Sequence, residues 1–131
     1  MTVDTVFDMA SLTKVVATAT SVMMLVEDGK IRWNSTLGEI FPDDIEEMNH
    51  AWREVTLEQL LVHRGGAPHD PPKDLYAIAE KQEGEPRAQR WEFVRGLLRK
   101  PPAKPPGTHW IYSDSGYAIA GAMIERATGM A

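Results

Sequence analysis

Apolar residues recur at helical spacing along much of the chain, and the densest run lies between Val15 and Val26. This run predicts a helix from Ser11 to Asp28, because Gly29 follows at the position where glycine commonly ends a helix. The apolar side chains lie nearly all round the helix, a pattern typical of a buried helix. We therefore expect this helix to be central to the fold.

Shorter helices are predicted further along the chain, separated by residues that break regular structure. Thr56 and Gln59 fit the N-cap and N3 positions of a capping box, so a helix should begin there and stop at Gly65-Gly66. Three more helices are predicted over 74–82, 89–99 and 114–128, the last closed by Gly129. Only 2–9 and 108–113 are expected to be extended, so the sequence predicts a mainly α chain.

The connecting segments carry weaker signals. Leu37, Ile40 and Phe41 predict a small apolar plug before a proline, and the acidic stretch 43–51 predicts a surface loop or a single helical turn. The linker 101–107 contains four prolines and a glycine, which excludes a helix or a central strand there.

At 131 residues the chain has the size of one domain, which we assign to residues 1–131. Its formal net charge of -5 comes from interspersed acids and bases without a basic stripe, so nucleic acid is not an expected partner. The chain has no cysteine, which excludes disulfides and thiolate chemistry.

The N-terminal part bears on membrane association and export. Thr18, Thr20 and Ser21 interrupt the apolar run after Lys14, so we expect it to be too short and too polar to span a membrane. Residues 1–8 lack the basic start of a signal peptide. The sequence leaves the cellular compartment open.

Ser11 and Lys14 form the first candidate site. They lie three residues apart at the start of the predicted helix, so their side chains share a face. In the first turn, free N–H groups and the helix dipole would favour a developing oxyanion at Ser11. Burial by the apolar residues that follow would lower the proton affinity of Lys14, which would then act as a base toward Ser11. The plainer alternative is that Ser11 caps the helix and Lys14 is solvated.

Tyr112 and Asp114 form the second candidate site, delivered by the rigid Pro106-Gly107 turn. A nearby cation such as Lys14 would lower the pKa of the Tyr112 phenol and let it exchange protons. Asp114 would hold Lys14 by a charge-assisted hydrogen bond. The structural alternative is that Asp114 is an N-cap, Ser113 fills the turn and Tyr112 is half-buried packing.

Other kinds of site have less support. The four histidines show no metal-ligand spacing and no glycine segment has a phosphate-loop pattern, so no metal or cofactor is expected. Ser115-Gly116 is not a nucleophile elbow, because Ser113 stands where the first glycine should be. A Ser–His–Asp triad stays open, since its members meet only in space.

Three motifs occur in this order along the chain: Ser11-x-x-Lys14, then Leu60-Leu61-Val62-His63-Arg64-Gly65-Gly66, then Tyr112-Ser113-Asp114. Together they resemble the serine β-lactamase and penicillin-binding-protein superfamily, in particular its class C-like branch, which includes esterases and peptidases. The resemblance runs from Thr5 to Met130. It implies that this mainly α chain is the helical subdomain of an α+β fold together with the helix that carries the nucleophilic serine, without most of the antiparallel sheet. We call this helix, predicted here from Ser11 to Asp28, the serine helix.

The resemblance also implies a role for each candidate residue. Ser11 matches the acylated nucleophile, and Lys14 matches its base partner. Tyr112 matches the tyrosine of a Tyr-x-Asn motif, which passes a proton to the leaving group and activates water. Asp114 stands where that motif usually has asparagine and would orient Lys14. The segment 60–66 matches a scaffold marker of the helical subdomain.

Two departures from the superfamily pattern bear on activity. Ionised Asp114 only accepts hydrogen bonds, whereas asparagine also donates them, which favours either esters over β-lactams and peptides or weak activity. Asp114 would also make Lys14 a poorer base unless Tyr112 takes that role. The third motif, Lys/His-Thr/Ser-Gly, is not found after Tyr117, and its strand supplies half of the oxyanion hole.

We therefore expect a serine hydrolase that acts on a small-molecule ester, amide or β-lactam through an acyl-enzyme at Ser11. The alternative is a catalytically incomplete helical module that binds a partner. In either case we expect the apolar face of the serine helix to pack against another surface. A second copy of the chain in a homo-oligomer, a missing segment or a rearranged core would provide it.

Overall fold

A computed structural model describes residues 1–80 and 84–130 of the chain. Within these ranges regular structure is helical, and the strand-like pairing is one isolated antiparallel bridge between Thr36 and Thr56. The prediction of a mainly α chain is confirmed. The α-helices are α1 (Thr20–Glu27), α2 (Leu37–Ile40), α3 (Leu57–Leu61), α4 (Lys73–Glu80), α5 (Pro86–Arg99) and α6 (Asp114–Thr128).

The serine helix, Ala10–Glu27, is continuous but changes its winding. Ala10–Leu12 is a 3-10 turn, Lys14–Ala19 is π-helical, and α1 completes the helix. In the π-helical part the Thr20 hydroxyl donates to the carbonyl oxygen of Val15 at 3.0 Å. Such wide turns inside a helix often occur at functional sites. Gly29, with φ of 69°, follows the helix as predicted.

The prediction that the serine helix is central is wrong for the described residues. Val22 and Leu25 are its buried side chains in α1. The large apolar side chains on its other faces are about 60 % exposed: Val15, Val16, Met23 and Met24. The physical reason is that its neighbours, such as α6 against the π-helical part, contact only one side of it.

The expectation that this apolar run is too short and too polar to cross a membrane is also wrong as a statement about length and composition. The 18 residues of the serine helix are enough, by those two criteria, for a membrane span. Core helices of soluble proteins and signal sequences meet the same criteria, so this is weak evidence for a span.

Capping explains where α3 begins and the following turn explains where it ends. The predicted box is present, because Thr56 Oγ1 accepts from the Gln59 N–H and Gln59 Oε1 accepts from the Thr56 N–H. The helix stops at Leu61, earlier than the predicted glycines. His63, with φ of 61°, turns the chain before the glycines are reached.

The later helices agree with the predictions except at their ends. The predicted helix over 74–82 is observed as α4, and positions 81 and 82 lie outside the described residues. α5 begins at Pro86, three residues before its predicted start, because Glu85 caps it and proline suits the first turn. α6 has the predicted bounds and ends at Gly129, which has φ of 69°.

The core lies where α6 packs against α2, α3 and α5, while α4 packs against α5. The predicted plug is part of this core, with Leu37 and Phe41 fully buried. The core is lined by Val22, Leu25, Ile31, Leu37, Phe41, Met48, Trp52, Val55, Leu57, Leu60, Ala67, Leu75, Val94, Leu97, Leu98, Ile119, Ala120 and Met123.

Of the two alternatives predicted for the acidic stretch 43–51, a surface loop is wrong and a single helical turn is closer to what is observed. The stretch joins two 3-10 turns, Pro42–Asp44 and His50–Trp52. The buried Asp44 carboxylate binds Arg95 at 2.7 Å and Arg126 at 3.1 Å. A buried carboxylate is stable only when such partners satisfy it, so this stretch is fastened to α5 and α6.

Candidate active site

Lys14 lies at the centre of the four residues that the sequence predicts to form the site. Its Nζ is 3.4 Å from Ser11 Oγ and forms an ion pair with Asp114 Oδ1. The Tyr112 phenol is its third neighbour, since Nζ lies 5.1 Å from the centre of the Tyr112 ring and the phenol raises the Lys14 pKa. An ammonium has three N–H donors, enough to serve all three groups. The structure therefore brings together all four residues from distant parts of the chain.

The Tyr112 hydroxyl is the second polar group beside Ser11, whose hydroxyl lowers the Tyr112 pKa. Because the Lys14 ammonium can only donate, Ser11 Oγ accepts from it. The proton of the Ser11 hydroxyl is then free to point at Tyr112. Ser11 is exposed, so a substrate can approach it from solvent.

The backbone just before Ser11 has a conformation that side-chain-bearing residues rarely adopt. Ala10 has φ of 44°, in the left-handed region. Its N–H donates to Asp8 Oδ1 at 2.8 Å, which holds the chain as it enters the helix. The 3-10 turn that follows lets the side chains of Ser11 and Lys14 meet.

The pKa of Lys14 is raised above its ordinary value, the opposite of the predicted shift. Burial is the largest single influence and does lower this pKa, as the sequence suggested. The hydrogen bonds and negative charges of Asp114 and Tyr112 act in the other direction and together outweigh burial. Lys14 is therefore a firmly protonated cation, which makes it a poor base and a strong electrostatic anchor.

The two tyrosines beside Lys14 have opposite pKa shifts. Hydrogen bonds from Ser11 first, and then from Lys14, lower the pKa of the Tyr112 phenol, against the opposing charge of Asp114. Burial raises the pKa of Tyr117, although Lys14 Nζ lies 5.7 Å from its ring centre. Tyr112 is thus the phenol of the pair that ionises more easily, and only its phenolate could accept a proton.

The 61–69 turn, which starts at the last residue of α3, holds the segment 111–114 in place. The Ile111 N–H donates to the His63 carbonyl oxygen at 2.9 Å, and the Ser113 N–H donates to His63 Nδ1 at 3.0 Å. The Ser113 hydroxyl donates to the Pro68 carbonyl oxygen at 2.5 Å. Because these bonds flank Tyr112 on both sides, the turn sets where its phenol lies.

Two glycines allow the 61–69 turn to dock on the proline-rich linker. Gly66 has φ of 82°, and a Cβ there would lie 2.3 Å from the Lys104 carbonyl oxygen. The Gly66 carbonyl oxygen accepts from the Ala103 N–H at 2.8 Å. Gly107, with φ of 79°, donates its N–H to the Arg64 carbonyl oxygen at 2.8 Å. This docking delivers residues 108–114 to the site.

Sequence reasoning missed that Ser113 caps α6 and that His63 accepts hydrogen bonds from the Ile111 and Ser113 N–H groups. Ser113 is buried and is the N-cap of α6, accepting from the Gly116 N–H at 2.9 Å, so it does not merely fill the turn. Asp114 is the first residue of the helix, not its cap, which frees its carboxylate for Lys14. A serine directly before an acidic first-turn residue was the available signal for this cap.

Other candidate chemistry is sparse in the part of the chain that the structure describes. No group of three or more His, Asp or Glu side chains there is arranged to hold a metal ion. His63 Nδ1 binds a backbone N–H and not a carboxylate, unlike the histidine of a Ser–His–Asp triad. A cavity of about 790 Å³ between α5 and α6 is lined by none of the four candidate residues.

Comparison with known proteins assigns the whole chain to one family. A β-lactamase family model matches residues 1–131. Over 131 residues the chain is 30% identical to the "Putative D-alanyl-D-alanine carboxypeptidase" of Escherichia coli (strain K12), covering 98% of this chain and 30% of that protein. Over 135 residues it is 31% identical to an unguisins hydrolase of Aspergillus campestris (strain IBT 28561), covering 98% of this chain and 24% of that protein.

A second unguisins hydrolase, from Aspergillus violaceofuscus (strain CBS 115571), is 33% identical over 142 residues, with 93% of this chain and 24% of that protein covered. The chain therefore spans less than a third of the length of these relatives. It belongs to the β-lactamase family, within the serine β-lactamase and penicillin-binding-protein superfamily.

Proposed function

We propose that the protein containing these residues is a class C-like serine hydrolase that cleaves an ester, amide or β-lactam through an acyl-enzyme at Ser11. The observation that carries this proposal is the Lys14 ammonium, which binds Ser11, Tyr112 and Asp114 at once. The names of the relatives, a carboxypeptidase and two hydrolases, support a hydrolytic reaction. Because the chain spans less than a third of those relatives, the activity is proposed for the whole protein.

In the proposed first step Tyr112 is the phenolate held beside the Lys14 ammonium; Ser11 Oγ attacks the acyl carbon and its proton passes to the phenolate oxygen of Tyr112. The bond from the acyl carbon to the leaving oxygen or nitrogen then breaks, and Tyr112 returns the proton to the leaving group. In the second step Tyr112 takes a proton from water as the water oxygen adds to the acyl carbon. Ser11 then leaves and recovers that proton, so the cycle consumes one water.

The pKa shifts favour Tyr112 over Lys14 as the proton acceptor. Hydrogen bonds from Ser11 and Lys14 lower the pKa of Tyr112, whereas the pKa of Lys14 is raised because Asp114 and Tyr112 outweigh burial. Lys14 would then act as a fixed cation that stabilises the phenolate and orients Ser11. Asp114 would orient Lys14, and its lack of a donor favours ester substrates.

The nucleophile is tested by hydrolysis of an activated ester and of a penicillin by the full-length protein. We expect Ser11→Ala to lower the rate by roughly 10³-fold or more, because the covalent route is lost. Ser21→Ala, a change of the same kind on the same helix, is the matched control and should be near wild type. A hydrolytic rate that survives Ser11→Ala would overturn the proposal.

The division of labour between Lys14 and Tyr112 is tested by Lys14→Arg and Lys14→Met. An arginine keeps the positive charge but cannot deprotonate at any working pH. If Lys14 is a fixed cation, Lys14→Arg should retain clearly more activity than Lys14→Met. If both Lys14 variants lose activity equally and Tyr112→Phe retains most of its activity, Lys14 and not Tyr112 is the base.

A second candidate function is a helical module that binds a partner without catalysis. The observation that favours it is the exposed apolar face of the serine helix, which includes Val15, Val16, Met23 and Met24. A second copy of the chain is the simplest cover for this face. If the chain is a folded monomer that binds no apolar dye, this candidate fails.

A further inference from the structure

His63 contacts the Tyr112 segment through both its backbone and its ring. Its carbonyl oxygen accepts from the Ile111 N–H at 2.9 Å, and its Nδ1 accepts from the Ser113 N–H at 3.0 Å. Tyr112 therefore sits between two residues that are both anchored on His63. A shift of the His63 ring would move the peptide on one side of the phenol.

The His63 ring is itself held by aromatic packing. Its centre lies 4.6 Å from the Tyr112 ring and 5.2 Å from the Tyr117 ring, both tilted, with Trp110 at 5.8 Å edge-on. The Tyr117 hydroxyl donates to the Leu61 carbonyl oxygen at 3.0 Å, which ties this stack to the 61–69 turn. The ring thus has a defined position from which to place Tyr112.

We propose that His63 is a positioning residue that holds the Tyr112 phenol against Ser11 and Lys14, and that only its neutral form with the proton on Nε2 does so. This inference rests on the proposed function, in which Tyr112 takes the Ser11 proton. His63 touches neither Ser11 nor the reacting atoms in this scheme and acts through the position of Tyr112.

The requirement for a neutral ring follows from the hydrogen bond to Ser113. A protonated imidazole has N–H on both nitrogens, so Nδ1 would then face the Ser113 N–H as donor against donor. The extra positive charge would also lie near Lys14. Acid should therefore loosen the segment that carries Tyr112.

The groups that face His63 set the pH at which its ring becomes protonated. Burial first, and then the charge of Lys14, lower the pKa of His63, while Asp114 acts in the opposite direction. Tyr112 and Tyr117 are uncharged in the acid range. The net lowering of the His63 pKa favours the neutral ring, so its protonation is expected at a lower pH than that of an ordinary histidine.

Two variants separate positioning from mere folding. His63→Asn keeps an acceptor, the side-chain amide oxygen, that can receive the Ser113 N–H, and asparagine tolerates the φ of 61° at this position. His63→Ala removes the acceptor. His50→Asn is the control, since His50 is exposed and lies in another turn. Chemical denaturation of each variant establishes that it is folded.

The first readout is the pKa of Tyr112, followed by the ultraviolet absorbance of its phenolate and assigned with Tyr112→Phe. We expect a lowered pKa in wild type, His63→Asn and His50→Asn, and a return toward the ordinary value in His63→Ala. This measurement needs no catalysis, so it tests the positioning role even if Ser11 proves unreactive and the proposed function fails. An unchanged Tyr112 pKa in folded His63→Ala would overturn the inference.

The second readout is the rate of Ser11 acylation against pH in the full-length protein. We expect His63→Ala to lower the rate at neutral pH by about tenfold to 100-fold, as small misplacements of catalytic groups do. His63→Asn should recover most of that loss. Protonation of Tyr112 lowers the rate in acid in both proteins, but only wild type also has a His63 ring to protonate, so the wild-type rate should fall more steeply with acid than the His63→Asn rate. Equal loss in both variants, or an equally steep acid decline in wild type and His63→Asn, would contradict the proposal.

Discussion

The charge balance at Ser11 is set at the scale of single residues, above all by Asp114. Its carboxylate pairs with Lys14 and helps to raise the pKa of that ammonium. The same negative charge raises the pKa of Tyr112, against the lowering by Ser11 and Lys14. Asp114 therefore favours the protonated form of Lys14 and at the same time opposes ionisation of the Tyr112 phenol.

Replacing Asp114 by asparagine should lower both of these pKa values. In Asp114→Asn the Lys14 ammonium loses a negative partner that raises its pKa, so the lowering by burial has more effect. Tyr112 loses a nearby negative charge that raises its own pKa. Both shifts can be followed by NMR of labelled lysine and by phenolate absorbance. Asp43→Asn, which changes an exposed carboxylate far along the chain, is the control. A Tyr112 pKa that rises in Asp114→Asn would contradict this charge balance.

At this scale the sequence predicted the partners better than the protonation states. The family order of the motifs was enough to pair Lys14 with Ser11, Tyr112 and Asp114. The direction of the Lys14 shift was missed, because it depends on whether burial or the two hydrogen-bond partners contribute more. That balance depends on distances and exposure, which only the folded chain defines.

At the scale of elements, helix ends were predictable wherever the signal is local. Thr56 with Gln59 begins α3, and Gly129 ends α6, because a cap depends on a few neighbouring residues. The start of α5 lies three residues before the predicted one, because Glu85 caps the helix and proline fits its first turn. The docking of the 61–69 turn on the linker was not predictable, since its hydrogen bonds join residues about 40 positions apart.

That docking predicts a strong effect of a methyl group at Gly66. Gly66→Ala should lower the free energy of unfolding by about 1–3 kcal/mol, since alanine is strained at φ of 82° and its Cβ would meet the Lys104 carbonyl oxygen. Gly121→Ala is the matched control, because a Cβ there meets nothing within 4 Å and alanine favours helix. Denaturation with urea measures both changes. Equal stability of the two variants would refute the docking.

At the scale of the whole molecule, the described chain has a sound core but leaves one helix uncovered. Helices α2 to α6 share that core, while the outer faces of the serine helix stay exposed. An apolar face of this size on a soluble protein usually marks a contact surface. The all-round apolar pattern of the serine helix was visible in the sequence, but what covers it was not, because periodicity does not identify the neighbour.

The uncovered face predicts that the isolated 131-residue chain self-associates. Val16 and Met23 are both about 60 % exposed, one in the π-helical part of the serine helix and one in α1. Sedimentation velocity should show concentration-dependent association that Val16→Glu and Met23→Glu together abolish. Val62→Glu, which alters an exposed apolar residue elsewhere, should leave it intact. A wild-type chain that remains monomeric at all concentrations would contradict this prediction.

The central claim is that Ser11 is a nucleophile activated by Lys14 and Tyr112. The most direct test is intact-mass measurement of the full-length protein after treatment with a fluorophosphonate and, in parallel, with a penicillin. The account predicts a stoichiometric mass gain in at least one reaction, lost in Ser11→Ala and kept in Ser21→Ala. A folded protein that gains no mass, or that still gains it in Ser11→Ala, would contradict the claim.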